Sequence, residues 1–110
     1  MTTATFNYNA NDQFISFVIS GHSGYDKKGR DIVCSSITTA SYTTIGMLQR
    51  LIDPKTFIYH ENEDGYLELK MTSNKVDQNI VKQIIQNFID VLDNIQRQYP
   101  KNLKILIARK

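Results

Sequence analysis

The sequence holds one cysteine, two histidines, two prolines and no tryptophan. A single thiol excludes an intrachain disulfide. With Cys34, His22 and His60 scattered and unpaired at ligand spacing, a structural metal site of four such ligands is excluded too. No metal and no other cofactor is expected. No apolar run approaches the roughly 20 residues that span a bilayer, so no membrane association is expected. The start, Met1-Thr2-Thr3-Ala4, lacks a basic stretch followed by an apolar one, so no secretory signal is indicated. Together with the unpaired thiol, this points to the reducing cytoplasm. The net charge of +2 is too small to argue direct nucleic-acid binding. Lys27, Lys28 and Arg30 read as a solvated loop, and the six tyrosines do not interleave with basic residues as in a single-strand binder.

What is present is ordinary globular material. With 110 residues, 41% hydrophobic and 22% charged, the chain has enough apolar content for one core and reads as a single domain, 1–110. Alternating Ala4, Phe6 and Tyr8 predict a strand over 3–9, and the Asn9-Ala10-Asn11-Asp12 turn leads to a second over 13–20. Val33, Ile37, Ala40, Ile45, Leu48 and Ile52 recur at helical spacing from 32 to about 52, with Asp31 as N-cap and Asp53-Pro54 as stop. Strands over 56–60 and 66–71 flank an Asp64-Gly65 turn. A long helix over 76–99 stops at Pro100, and an apolar strand over 103–108 ends the chain. The order ββαββαβ predicts an α+β domain, a mostly antiparallel five-stranded sheet with two helices on one face. Phe14, Val18, Leu106 and Ala108 fall on the strand faces opposite the expected core, which predicts a homodimer.

Chemistry concentrates at two junctions. Cys34 lies at the predicted start of the first helix, in Asp31-Ile32-Val33-Cys34. There the macrodipole and unpaired backbone N–H groups favour a thiolate. His22 lies twelve residues earlier, in the turn Gly21-His22-Ser23-Gly24 that closes the second strand. A thiol and a nearby imidazole are the minimal equipment for nucleophilic attack on a peptide carbonyl. A lone cysteine at an apolar helix start is also a common small core residue, and a lone histidine in a turn a common surface one. Spacing alone leaves both readings open. Other motifs fail on their residues. Gly24 to Asp31 lacks the Lys and Ser/Thr of a phosphate loop, and Gly21-His22-Ser23-Gly24 has Tyr25 where a serine-hydrolase elbow needs glycine.

Asp31 has two candidate roles: capping the helix, with the Cys34 N–H as donor, or orienting His22 as the third member of a triad. Thr38, one turn after Cys34, either serves the thiolate or bonds back to the Cys34 carbonyl. The polar segment 23–30, with Ser23, Gly24, Tyr25 and Gly29, is expected to form a mobile loop that orders over substrate.

Gly21-His22 followed by a glycine-containing loop and Asp31-Ile32-Val33-Cys34 resembles the ribosomal-processing cysteine protease family, Prp, over nearly the whole chain. The departures are Ser23 where alanine is common and Thr38 where serine is usual. The resemblance implies the ββαββαβ domain, a His22–Cys34 dyad and a homodimer. It also implies removal of the N-terminal extension from bacterial large-subunit ribosomal protein twenty-seven, the N-terminal peptide of that ribosomal protein being the partner bound. The alternative is a non-catalytic ribosome-assembly factor that binds the same ribosomal protein.

Overall fold

Residues 1–27 and 30–109 are described by the structure, a computed structural model. Its elements are β1 (Thr2–Tyr8), β2 (Phe14–Ser20), α1 (Ile32–Leu51), β3 (Phe57–Asn62), β4 (Tyr66–Met71), α2 (Gln78–Gln98) and β5 (Leu103–Arg109). The order is the expected ββαββαβ, with ends moved by one or two residues. A single 3-10 turn, Pro54–Thr56, escaped the periodicity because three residues are too few to show one.

The sheet runs β3-β4-β2-β1-β5. Three of its pairings are antiparallel, and β1 with β5 is parallel, so the sheet is mixed. The cause is topological. These pairings make β2 parallel in direction to β3, and β4 to β5, so each helix is a crossover between strands of one direction. Such crossovers take the same hand, which puts both helices on one face. The opposite face, through Thr3, Thr5, Asn7, Ser16, Ser20, Glu68 and Lys70, is largely polar.

α1 is built from weak helix formers. Ser35, Ser36, Thr38, Ser41, Thr43 and Thr44 each donate a hydroxyl hydrogen bond to a carbonyl of the preceding turn, which removes their cost as lone polar groups. Ser41 and Thr44 can therefore be buried beside Val33, Ile37, Ile45 and Leu48. In α2, Val81, Ile85, Phe88 and Leu92 form the buried stripe, while Val91 turns to solvent.

The core centres on an aromatic triangle. Phe88 of α2 meets Phe6 and Phe17 edge-on, at 5.5 and 5.1 Å between ring centroids. Phe14 corrects the sequence reading. The register between β1 and β2 shifts at Asn7 and Tyr8, so Phe14 pairs with Tyr8 rather than following the alternation. The bulge turns its ring inward, against Tyr8 and Phe17, and it is buried. Phe14 is thus a core residue, unavailable to a partner. Val18, Leu106 and Ala108 remain on the open face.

Phe88 is the one helix residue in that triangle, and it is 1% exposed. Phe88→Ala is expected to cost about 3–5 kcal/mol in urea unfolding, with Phe88→Leu well below that. Equal, small costs for both would contradict a core organised on this ring.

Candidate active site

The turn after β2 is shaped by glycine. Gly21 adopts φ +88°, and a Cβ there would lie 2.6 Å from the Met1 carbonyl oxygen. Its N–H donates to the Gly65 carbonyl at 2.8 Å, and its own carbonyl accepts from the Thr2 hydroxyl at 3.2 Å. The exposed His22 follows, then Ser23, which is buried at 1% exposure. The Ser23 hydroxyl donates to Asp31, and its carbonyl accepts from the Asn102 side-chain amide at 3.0 Å. The backbone on both sides of His22 is thereby anchored.

Cys34 is the third residue of α1 and is half-buried. Asp31 caps that helix from extended backbone geometry, Oδ1 accepting the Cys34 N–H at 2.9 Å. Oδ2 accepts from the Ser23 hydroxyl and from the N–H groups of Tyr25, at 3.1 Å, and Asp26, at 3.4 Å. One carboxylate therefore joins the loop bearing His22 to the helix bearing Cys34. Among the hydrogen bonds of the described residues none runs from Asp31 to His22, so the geometry is that of the cap. Burial pushes the Asp31 carboxyl up, but the Ser23 hydroxyl and the N–H groups of Cys34, Asp26 and Tyr25 outweigh it and hold the group below the usual aspartate value.

Thr38 donates its hydroxyl to the Cys34 carbonyl at 2.9 Å, the back-bonding geometry. Part of the segment expected to order over substrate is already held. Ser23, Tyr25 and Asp26 are tied to Asp31, and the Tyr25 ring packs edge-on against Tyr99 with centroids 5.2 Å apart. The reason is that Ser23 lies inside the core boundary, where its hydroxyl needs a partner. Gly24 follows with φ +73° and is exposed. Lys28 and Gly29 lie outside the described residues.

His22 and Cys34 line one cavity of about 690 Å³, together with Asp26, Arg30, Asp31, Ile32, Ser35, Thr38 and Thr39. Among the hydrogen bonds of the described residues none joins imidazole to thiol. In free enzymes such contacts are often long and tighten with substrate. Cys34 and Thr38 also line a second cavity of about 140 Å³, floored by Ile19, Ile37 and Leu67 and rimmed by Tyr42, Glu61, Asn62 and Tyr66. The Tyr42 hydroxyl donates to Glu61, which raises the tyrosine above its ordinary value. Sequence reasoning missed this second cavity and Asn102. Both depend on contacts between residues far apart in the chain, and no local pattern marks them. His60 stands on β3 opposite Glu68, apart from the site.

The depressed Asp31 carboxyl sets a direction for stability against pH. A carboxylate whose folded value is lowered contributes above its unfolded value of 3.8 and loses that contribution as pH falls through the folded value. Asp31→Asn keeps an oxygen for the Cys34 N–H but offers no second acceptor to Ser23, Tyr25 and Asp26. It is expected to be less stable by about 1–3 kcal/mol at neutral pH, with the gap to wild type closing in acid. Urea unfolding across pH checks this, and a pH-independent gap would contradict it.

Comparison with known proteins identifies the family. The family model of cysteine protease Prp matches residues 1–104. The ribosomal processing cysteine protease Prp of Bacillus subtilis (strain 168) is 23% identical over 107 residues, covering 96% of each chain. The crystal structure of the ribosomal processing protease Prp from S. aureus, with a covalently linked product peptide, superposes with a TM-score of 0.85 at 17% identity, covering 98% of this chain and 100% of that one. SMU.848 from Streptococcus mutans superposes with a TM-score of 0.77 at 24% identity, covering 100% of this chain and 96% of that one. These likenesses favour an enzyme over a non-catalytic binding factor. The chain belongs to the Prp family of cysteine proteases.

Proposed function

We propose that this protease removes the N-terminal extension of bacterial large-subunit ribosomal protein twenty-seven, with Cys34 as nucleophile and His22 as general acid and base. The observation that carries the dyad is the shared cavity: His22 and Cys34 line one space at the N-terminus of α1, and Asp31 holds the Cys34 N–H directly and the loop bearing His22 through the Ser23 hydroxyl. The substrate rests on the relatives, one named as a ribosomal processing protease and another solved with a substrate peptide.

In this mechanism His22 takes the Cys34 proton and the thiolate sulfur attacks the scissile carbonyl carbon. The tetrahedral intermediate collapses, the carbon–nitrogen bond breaks, and the imidazolium gives its proton to the leaving amine. Water, deprotonated by His22, then hydrolyses the thioester, releasing the extension as a carboxylate and restoring the thiol. The Cys34 N–H is held by Asp31 Oδ1, so the oxyanion draws on other donors. The larger cavity is of the size that accommodates an extended peptide, and the smaller one has room for a substrate side chain beside the sulfur.

Cys34→Ala is expected to abolish cleavage of a peptide spanning the extension while leaving thermal unfolding unchanged. His22→Ala is expected to abolish turnover and to slow iodoacetamide labelling of Cys34 at neutral pH. Wild-type cleavage by Cys34→Ala sinks the assignment of the nucleophile; unaltered labelling and turnover in His22→Ala sink the dyad. Thr38→Val, which deletes only a hydroxyl spent on a carbonyl, is expected to turn over close to wild type, and a large loss would place that hydroxyl in the chemistry.

A further inference from the structure

The β3–β4 turn is far from His22 in sequence and against it in space. A Cβ built on Gly65 would lie 3.0 Å from His22 Cε1, 3.2 Å from His22 Nδ1 and 3.1 Å from the Gly21 carbonyl oxygen. We propose that Gly65 is a positioning residue for the His22 imidazole: the side chain it lacks leaves the space in which the ring stands. This rests on the reading of His22 as general acid and base.

Three contacts at these distances are tighter than real Cβ atoms ordinarily make, so something must give. One of the three atoms is backbone. Gly21 O also accepts from Thr2, and the Gly21 N–H donates to Gly65 O at 2.8 Å, which binds the two turns together. The other two atoms belong to the imidazole, which is exposed on its other side and so has room to yield. A methyl group at position 65 would therefore displace the ring, while the contact with Gly21 O has to be taken up by a small shift between the two turns. The ring shares its cavity with Cys34, so its displacement changes where the base stands relative to the thiol. Gly65 and Gly21 also line the smaller cavity together with Cys34.

A second demand acts at the same position. Gly65 has φ +75°, a conformation the Asp64-Gly65 turn requires by itself. Asparagine separates the two demands, because it tolerates the left-handed region and yet carries a Cβ. If the turn alone needs glycine, Gly65→Asn behaves as wild type while Gly65→Ala is impaired. If the imidazole needs the space, both variants fail in the same way.

The chain has two histidines, so imidazole Cε1–H NMR resonances report them individually. In wild type, cross-relaxation between the Gly65 Hα protons and His22 Hε1 is expected, and its absence overturns the packing whatever the variants do. In Gly65→Asn and Gly65→Ala, the His22 resonance is expected to move while that of His60 stays. kcat on the extension peptide is expected to fall about 10- to 100-fold with little change in KM, as for a misplaced catalytic group. Wild-type turnover and an unmoved His22 resonance in Gly65→Asn overturn the inference. His22→Ala with wild-type turnover fails the underlying dyad instead, and that result is separate because it does not involve position 65.

Discussion

The Asp31 carboxylate is the interaction on which the site depends. Its Oδ1 closes the first turn of α1 at Cys34, and its Oδ2 gathers the Ser23 hydroxyl and the Tyr25 and Asp26 amides. Each contact is modest alone, about 1 kcal/mol for a cap and somewhat more for a bond to a charged group. Their value lies in sharing one residue. The loop cannot move away from the helix without leaving a buried carboxylate with unpaired oxygens, which costs more than any one of these bonds. The same arrangement lets a carboxylate sit within one helical turn of Cys34. Its charge is spent on four donors, one of them the thiol's own amide.

The composition of α1 follows from what it must do. Its run of serine and threonine carries a helix-propensity penalty of roughly 0.5 kcal/mol per residue relative to alanine. Burying Val33, Ile37, Ile45 and Leu48, at about 1.5–3 kcal/mol each, more than offsets it. The small hydroxyl residues Ser35, Thr38 and Thr39 form part of the wall of the larger cavity. Larger apolar residues at these positions would fill that cavity. One stripe of the helix holds the fold and another leaves room for chemistry, and back-bonded hydroxyls let the second stripe stay helical.

The two chemical groups reach the site by different routes. Cys34 is carried by a packed helix, so its position follows from the core. His22 is carried by a turn, held by Gly21 on one side and Ser23 on the other, and its ring rests against the β3–β4 turn. That turn comes from the strand pair at the far edge of the sheet. The edge hairpin thus contributes its turn against the imidazole, and Glu61, Asn62, Tyr66 and Leu67 to the smaller cavity.

Much of this was legible in the residues themselves. Apolar periodicity marked most strands and both long helices, because the period of burial is written directly into the pattern of Val, Ile, Leu and Phe; β3, exposed along most of its length, was marked by the Asp64-Gly65 turn instead. The cap at Asp31 and the back-bond at Thr38 were readable from spacing, since both are contacts within one helical turn. The parallel pairing of β5 with β1 was not, because strand order is set by crossover geometry and no local segment encodes it. Phe14 misled for a related reason: a bulge adds one residue, and one residue reverses the facing of a strand. Ser23 read as solvent loop although it is buried, since its partner Asp31 is eight positions away and its other anchor is Asn102. Sequence alone determined which groups were available for chemistry. Only the tertiary structure decided that His22 and Cys34 share a cavity and that a glycine forty-three positions beyond His22 stands against its ring. Those meetings depend on how the strands are ordered in the sheet, and the chain specifies that order only through the packing of the whole.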